Sequence, residues 1–325
     1  MLIGMLISSA AVIRPTWTTA HLAQAALEDG HQVRFIEAYD VEVTGHGRLV
    51  TRAFILDSPC SDAAELADKL RTKQLTRRYI EVATLDMLML RANPMTNSVM
   101  TLALMAQDRG VHVINDPAGV ARTRSKAWLA TLRDVPKPLT LVTTDPASAT
   151  LFAENQPDGV VIKPSLGSGG RGVRLVLNPR KVERTFCEVR RQVPGPVVIQ
   201  SYLPEADHGE KRVFWVDGEI VGTYLRTRAP GVLQHNVQQG GTPVAAELSE
   251  SDIAICEAIG PHLKRNGIVI AGLDIIGSAL IECNTVNPGG IYYAESFRTV
   301  EGLSLATHAF QILLRPWTNA EAKHA

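Results

Sequence analysis

Apolar and polar positions follow two different periods along this chain, and the architecture they predict changes where the period changes. Residues 2–13 are an almost unbroken apolar run, LIGMLISSAAVI, which reads as a strand buried on both faces, the pattern of a parallel sheet. A helix is predicted over Thr18–Glu28, closed by Gly30. Strand character returns at Gln32–Ala38, and the polar turn Gly45-His46-Gly47 separates shorter strand pieces. A second buried strand, Leu85–Leu90, ends at Arg91-Ala92-Asn93-Pro94; a helix over Thr96–Arg109, stopped by Gly110, and the strand VHVIN follow. Such alternation argues for an open α/β sheet, with residues 1–122 as one unit. Arg91 leaves its strand at the C-terminal end, where sheets of this kind bind ligands. A structural salt bridge would account for it equally well.

Residues 123–203 have a different character. A helix is expected over Ser125–Arg133 with Lys126 near its start, then the strand PLTLVTT and a helix over Pro146–Glu154. The β-rich run from Gly159 to Val176 places Lys163 at a strand end, directly before the loop Gly167-Ser168-Gly169-Gly170-Arg171-Gly172. Glycines let backbone amides approach and point at phosphate oxygens, and the lysine adds charge at the same place. This is not a Walker loop, because no GK[ST] is present and a strand follows. A plain hairpin turn is the competing reading, and the coupling to Lys163 is what argues against it. After a helix over Pro179–Gln192, the segment Gln200-Ser201-Tyr202-Leu203 is a connection suited to hydrogen-bond a purine edge.

Residues 204–325 are read as a third unit. A hairpin turns at Val216-Asp217-Gly218-Glu219, with Lys211-Arg212 opening one strand and Arg226 and Arg228 ending its partner. Ala229–Gly241 is polar, glycine-rich and long for a connection, hence a candidate functional loop. A helix from about Glu250 to Arg265 leads to the hairpin Gly272–Gly290. A three-residue turn containing glycine would set Asp274 opposite Glu282, and alternation would put Asn284 on the same face. Facing carboxylates destabilise a hairpin, and two carboxylates with an amide carbonyl form an all-oxygen set suited to Mg²⁺. The alternative is a surface hairpin with scattered polar residues. The apolar flanks (Ile275, Ile276, Leu280, Ile281) weigh against it, since unpaired buried carboxylates are costly.

Composition narrows the classes. The chain has 325 residues, 45% hydrophobic and 20% charged, with 33 basic and 33 acidic residues. It can bury substantial cores, and no net field favours nucleic acid or a membrane surface. The basic run Lys69–Arg78 reads as a solvated helix end. Cys60, Cys187, Cys256 and Cys283 are isolated, without CxxC spacing, which favours reduced thiols in a cytoplasm. The apolar N-terminus lacks the basic start of a signal peptide, its first charge being Arg14, so a buried first strand is expected. No apolar run is long enough to span a bilayer.

LMLRANP, KAW, VIKPSLGSGGRGV, QSYLPE, GEKRVFWVDGE, NVQQGG, GLDIIG and ECN together resemble the ATP-grasp superfamily, and within it bacterial glutathione synthetase, in the same order over nearly the whole chain. The resemblance implies an ATP-grasp fold: an N-terminal open α/β domain and two α+β subdomains clasping ATP. It implies ATP-dependent ligation, in which a carboxylate attacks the γ-phosphorus, an amine displaces phosphate from the acyl phosphate, and ADP is released. Lys126, Lys163, Gly167, Ser168, Gly169 and Gly170 would meet ATP; Gln200, Tyr202 and Leu203 would line the adenine pocket, with Glu210 a ribose or lysine contact. Lys163 and Arg212 would act on the transferred phosphoryl group, and Asp274, Glu282 and Asn284 would hold Mg²⁺ or Mn²⁺. Arg91, Asn236, Gly240, Gly241, Asn287, Gly289 and Gly290 would face an amino-acid or peptide substrate. Assembly as a dimer or tetramer is also implied.

Two departures from the family pattern fall at positions expected on the substrate side. Gln234-His235 stands where the family has Arg-Gly, and Thr285-Val286-Asn287-Pro288-Gly289-Gly290 lacks the family's Ser-Pro-Thr. Glutathione synthesis and a specialised γ-glutamyl or dipeptide ligase are therefore both open, as are a small-molecule kinase and a non-catalytic ATP-binding regulator on the same fold.

Overall fold

The computed structural model describes residues 1–321 except Ser168, 193–194, 229–234, 238–239 and 300–301. The expected open α/β sheet is present. Its strands are β1 (Leu2–Ile7), β2 (Gln32–Glu37), β3 (Val41–Val43), β4 (Leu49–Leu56), β5 (Arg77–Glu81), β6 (Met87–Leu90) and β7 (His112–Ile114). They run in the order β3-β4-β2-β1-β6-β7, with β5 also on β4. β1 pairs parallel to β2 and β6, and β6 parallel to β7, as the continuous apolar run of β1 requires. The run itself is shorter than its pattern suggests: Ser9 caps a 3-10 turn at Ala10–Val12. The helices are α1 (Thr18–Glu28), α2 (Ala63–Arg71), α3 (Asn97–Gln107) and α4 (Pro117–Thr123). Thr96 proves to be the N-cap of α3, its hydroxyl accepting from the Val99 amide.

A second sheet, β10-β9-β11-β8, comprises β8 (Thr140–Thr143), β9 (Val160–Pro164), β10 (Arg174–Val176) and β11 (Val197–Ser201). α5 (Lys126–Thr131) precedes it, and α6 (Pro146–Glu154) and α7 (Val182–Gln192) accompany it. The third sheet, β14-β13-β12-β15-β16, is antiparallel throughout: β12 (Glu210–Val216), β13 (Glu219–Thr227), β14 (Thr242–Val244), β15 (Ile270–Ile276) and β16 (Ala279–Asn284). The turn between β12 and β13 has Asp217 and Gly218 both at positive φ, 43° and 102°, as a two-residue hairpin demands. α8 (Glu250–Arg265) opens with a capping box from Ser249 and Asp252. α9 (Ile291–Ser296) and α10 (Leu305–Glu321) complete the chain; no periodicity argument had pointed to these two.

The cores are divided unevenly. The first and third sheets share buried clusters: Met5, Phe35 and α10's Phe310 pack with Phe214 and Ile270, and Leu88 and Val120 with Trp215 and Ile259. The second sheet has its own small core around Ile162, Phe186 and Ile199. A cleft therefore lies where the second sheet meets the fused pair. Among the described residues, no helix is long and apolar enough to cross a membrane.

Candidate active site

The third sheet presents one polar face, and two β-bulges determine which side chains it carries. The β15–β16 turn is Gly277-Ser278, two residues where three were expected, and Ile276 pairs with Ala279 and Ile275 with Leu280. A register shift after Asp274 then sets Asp274 opposite Glu282 and Gly272 opposite Asn284. The pairing is the expected one, reached through a bulge instead of a longer turn. On the neighbouring hairpin a second shift, at Phe214/Trp215, puts Glu210 opposite Arg226. β12 also pairs Arg212 with Asp274. Glu210, Arg212, Arg226, Asp274, Glu282 and Asn284 consequently converge.

Their charges are matched internally. Arg212 grips Asp274 with two bonds, Nε to Oδ1 at 2.5 Å and Nη2 to Oδ2 at 2.9 Å. Arg226 Nη2 donates to the same Oδ1 at 2.6 Å and also to Glu210, and Asn284 Nδ2 donates to Asp274 Oδ2 at 2.9 Å. Burial disfavours the Asp274 carboxylate, but the two guanidiniums outweigh it and hold its pKa below the usual range. For Glu210, burial dominates over Arg226 and pushes the pKa up to about 7. An ionised Asp274, a facing Glu282 and an amide make a hard-oxygen set that fits Mg²⁺. Among the described residues no group of three or more His, Cys, Asp or Glu forms a self-sufficient metal cage. Two carboxylates and an amide suit a cation that takes its remaining ligands from substrate phosphates.

Two lysines close the opposite wall. Lys126 Nζ lies 3.3 Å from Glu282 Oε1 and donates to Gly167 O at 2.8 Å. Lys163 Nζ donates to Gln200 Oε1 at 2.9 Å and to Ile281 O at 3.2 Å. Burial lowers Lys163 to about 8, opposed by Glu282. Gln200 also donates through Nε2 to Thr140 Oγ1 at 3.1 Å, so the side chain that sequence offered to a purine edge is engaged within the protein. Between β9 and β10 lies the glycine loop, with Gly169 and Gly170 at φ of 69° and 70°, a conformation that favours glycine. Ser168 lies outside the described residues. Tyr202, Leu203, Val161 and Ile276 supply the apolar part of the cleft, which has about 900 Å³ including its mouth.

A second cavity of about 1,920 Å³ opens on the N-terminal sheet. Its wall includes Arg91, Thr18 and Thr19 from the first unit and the Asn287–Gly290 loop from the third. Arg91 Nε donates to Thr19 Oγ1 at 3.1 Å and Nη2 to Pro288 O at 2.9 Å, while Arg212 Nη1 donates to Gly289 O at 3.0 Å. Five arginines (14, 91, 171, 212 and 226) line this cavity, and no Asp or Glu among the described residues does. Arg91 is 4% exposed, and burial lowers its pKa to about 9. The two cavities meet at Gly169, Arg212, Arg226, Asn236 and Asn284, which line both.

Most expected residues line these cavities; Lys126 and Gly167 line neither but meet each other and, through Lys126, Glu282. Gly240 and Gly241 line neither cavity. Gly241 donates to Asn236 O, and a β-carbon there would lie 2.0 Å from His235 O, so it closes the loop on itself. His235, expected beside the substrate, lines the cleft of Lys163 and Tyr202 instead; Gln234 lies outside the described residues. Sequence reasoning gave no role to Arg226 and did not single out Thr18 or Thr19. Counting back from the Asp217-Gly218 turn would have set Leu225, not Arg226, opposite Glu210, because the bulge is invisible to the count.

Comparison with known proteins places this geometry. The N-terminal domain family of prokaryotic glutathione synthetase matches residues 1–121, and its ATP-grasp domain family residues 126–298. The chain is 30% identical to a glutathione synthetase of Agrobacterium fabrum over 240 residues, 71% of this chain and 73% of that protein. It is 30% identical to one of Salmonella typhi over 270 residues, covering 80% and 81%. The D-cycloserine synthetase DcsG has a similar fold, with a TM-score of 0.69 at 14% identity over 97% of this chain and 99% of that one. The VanG D-Ala:D-Ser ligase of Enterococcus faecalis gives 0.64 at 14% identity, covering 96% and 98%. The chain belongs to the prokaryotic glutathione synthetase family of ATP-grasp enzymes, ADP-forming ligases that join a carboxylate to an amine.

Proposed function

We propose that the ligation takes place where the two cavities meet, and that Arg212 and Arg226, which line both, are the observation that carries this reading. ATP occupies the cleft beside Tyr202 and Leu203, its phosphates between Lys126, Lys163 and the Gly167–Gly172 loop. Mg²⁺, or Mn²⁺ in its place, held by Asp274, Glu282 and Asn284, supplies charge neutralisation for the β- and γ-phosphates. Arg212 then exchanges part of its grip on Asp274 for the oxygens of the transferring phosphoryl group, and Lys163 brings a second buried cation to the same point. The glycine loop, lying against Asn236, excludes water that would hydrolyse the acyl phosphate. On the other side Arg91 orients the carboxylate substrate, with Asn236, Asn287, Gly289 and Gly290 shaping its surroundings. The amine attacks the acyl carbon, phosphate leaves, and an amide results.

The substrates are amino acids or short peptides. Glutathione, made by the relatives their names describe, is the first product to test. A different γ-glutamyl or dipeptide product is the second reading, favoured by the Asn287-Pro288-Gly289-Gly290 loop that both Arg91 and Arg212 hold by its carbonyls. The units 1–122, 123–203 and 204–325 act as substrate-side, central and metal-bearing domains of a cytoplasmic homo-oligomer. The test is coupled ADP release with Mg²⁺-ATP, γ-glutamylcysteine and glycine, followed by a matrix of amino acids and dipeptides. Turnover that requires both a carboxylate and an amine is expected. ADP release with no amine requirement would make the protein a kinase, and ATP binding without turnover across the matrix would overturn the ligase assignment.

A further inference from the structure

His235 is hydrogen-bonded in a way that leaves one ring nitrogen for a ligand. Its Nε2 lies 2.7 Å from Ala206 O. A carbonyl only accepts, so Nε2 carries the ring proton and Nδ1 is left as an acceptor. Nδ1 faces Glu210 Oε2 at 3.7 Å, too far for a hydrogen bond. Burial lowers the His235 pKa, with the Ala206 bond opposing, so the ring is neutral near pH 7. A lone pair and a carboxylate oxygen thus face each other in a buried place, with His235 5% exposed. Among the described residues no donor reaches Nδ1. His235 and Glu210 both line the cleft, where a ligand carrying O–H donors would supply partners for the two acceptors.

The position within the cleft says which part of a nucleotide that is. Polar contacts run in a line from Ala206 through His235 and Glu210 to Arg226 and Asp274. One end of this line is apolar, beside Tyr202 and Leu203, and the other is the metal set. Base and phosphates take the two ends, so the sugar falls in the middle. Accepting the ATP reading above and its expected ribose contact at Glu210, on which this rests, we propose that His235 Nδ1 receives the second of the two vicinal ribose hydroxyls beside Glu210 Oε2. His235 is then a specificity-determining residue for ribonucleotides. Two adjacent acceptors match a cis-diol, whose hydroxyls are side-by-side donors, whereas a phosphate would be repelled by Glu210. The glycine that the family pattern has at this position offers no side-chain acceptor, so this reading belongs to this chain's own residue.

Calorimetric titration of the full-length protein with ATP, 2′-deoxy-ATP and 3′-deoxy-ATP in Mg²⁺ buffer, without the other substrates, tests this with no need for turnover. ATP is expected to bind about tenfold more tightly than the deoxynucleotide that lacks the hydroxyl His235 reads. His235→Ala should remove that preference by weakening ATP and the deoxynucleotide that keeps this hydroxyl but not the one that lacks it, and His235→Asn, which keeps an acceptor near the Nδ1 position, should restore part of it. Equal binding of all three nucleotides by the wild type would overturn the proposal and leave the ligase reading intact. An equal loss for all three in His235→Ala would also overturn it, because a structural role does not distinguish hydroxyls. Absence of any nucleotide binding would overturn the ligase reading and this inference together.

Discussion

The two cavities that meet at Arg212 are built on opposite electrostatic plans. In the proposed nucleotide cleft each buried carboxylate has a counter-charge from the chain: Asp274 with two guanidiniums, Glu210 with Arg226, Glu282 with Lys126, while Lys163 has an amide oxygen and a carbonyl as its hydrogen-bond partners. The substrate cavity has five arginines and no acid among the described residues, and Arg91, 4% exposed, has only a hydroxyl and a carbonyl as partners. Carboxylates that are already paired can exchange partners as Mg²⁺ and phosphates arrive, and Lys163, like Arg91, takes its counter-charge from what binds. A cavity with an uncompensated buried cation takes its counter-charge from the substrate. The proposed nucleotide side thus brings anions of its own, and the proposed substrate side takes its anions from what it binds.

The contrast is broken most directly on the paired side. Asp274→Asn keeps the shape but leaves Arg212 and Arg226 with one carboxylate fewer and the metal set with one charge fewer. ADP release should fall by about 10³-fold, and thermal unfolding should move down, since removing one partner of a buried pair costs roughly 3 kcal/mol. Turnover within tenfold of wild type would detach the hairpin from the chemistry. Arg91→Met makes the converse change. The KM for the carboxylate substrate should rise roughly 100-fold, the KM for ATP should stay within about twofold, and the melting temperature should hold or rise because a desolvated cation has been removed. A melting temperature that falls steeply would mean Arg91 is a structural strut.

The pH dependence sharpens the comparison at the next scale. Lys163 has its folded pKa lowered to about 8 from an ordinary 10.5, first of all by burial. Below pH 8 the free protein already carries the charge. Above it, ATP must draw a proton onto Lys163, so ATP affinity should fall as pH rises from about 8 towards 10.5, by at most about tenfold per unit. Stability moves the opposite way: a buried ammonium is unfavourable below pH 8, and the penalty is relieved as pH rises through that window. Lys163→Met should flatten the affinity profile, and an unchanged slope would show that another group titrates.

How much of this was legible in the sequence follows the same division. The strand–helix order of the first unit, Lys163 before its glycine loop, and Asp274 facing Glu282 could be read, because local period and turn chemistry specify them. The mechanism of the last was misjudged. A two-residue turn plus a bulge after Asp274 gives the register that a three-residue turn would have given. Arg226 was passed over because the bulge at Phe214/Trp215 changes its cross-strand partner from what the turn predicts. The cleft that His235 lines is not legible in the sequence, because the course of a loop depends on tertiary contacts such as its bond to Ala206 O, 29 residues away. The tethers of Arg91 to Pro288 and of Thr18 to Gly290 join residues about 200 or more apart in the chain, which no short-range pattern can anticipate.

Thr18 provides the smallest and most local test of the two-sided arrangement. It is 2% exposed, and its hydroxyl accepts from the backbone amides of Gly290 at 3.1 Å and Ile291 at 3.4 Å, at the start of α9. It touches only the substrate-side wall. Thr18→Val preserves volume but leaves those amides without their acceptor, a loss of about 1–2 kcal/mol. The Asn287–Gly290 loop would then keep its carbonyl bonds to Arg91 and Arg212 but lose the anchor on its amides, and the carboxylate substrate would meet a looser wall. The expected result is a KM for that substrate raised about threefold to tenfold, a slightly lower melting temperature, and an unchanged KM for ATP. Thr18→Ser, which keeps the oxygen, should recover most of both losses. If the ATP KM moves by the same factor, the two cavities are mechanically coupled through this loop, and their separation into a side with its own carboxylates and a side without them holds only for charge.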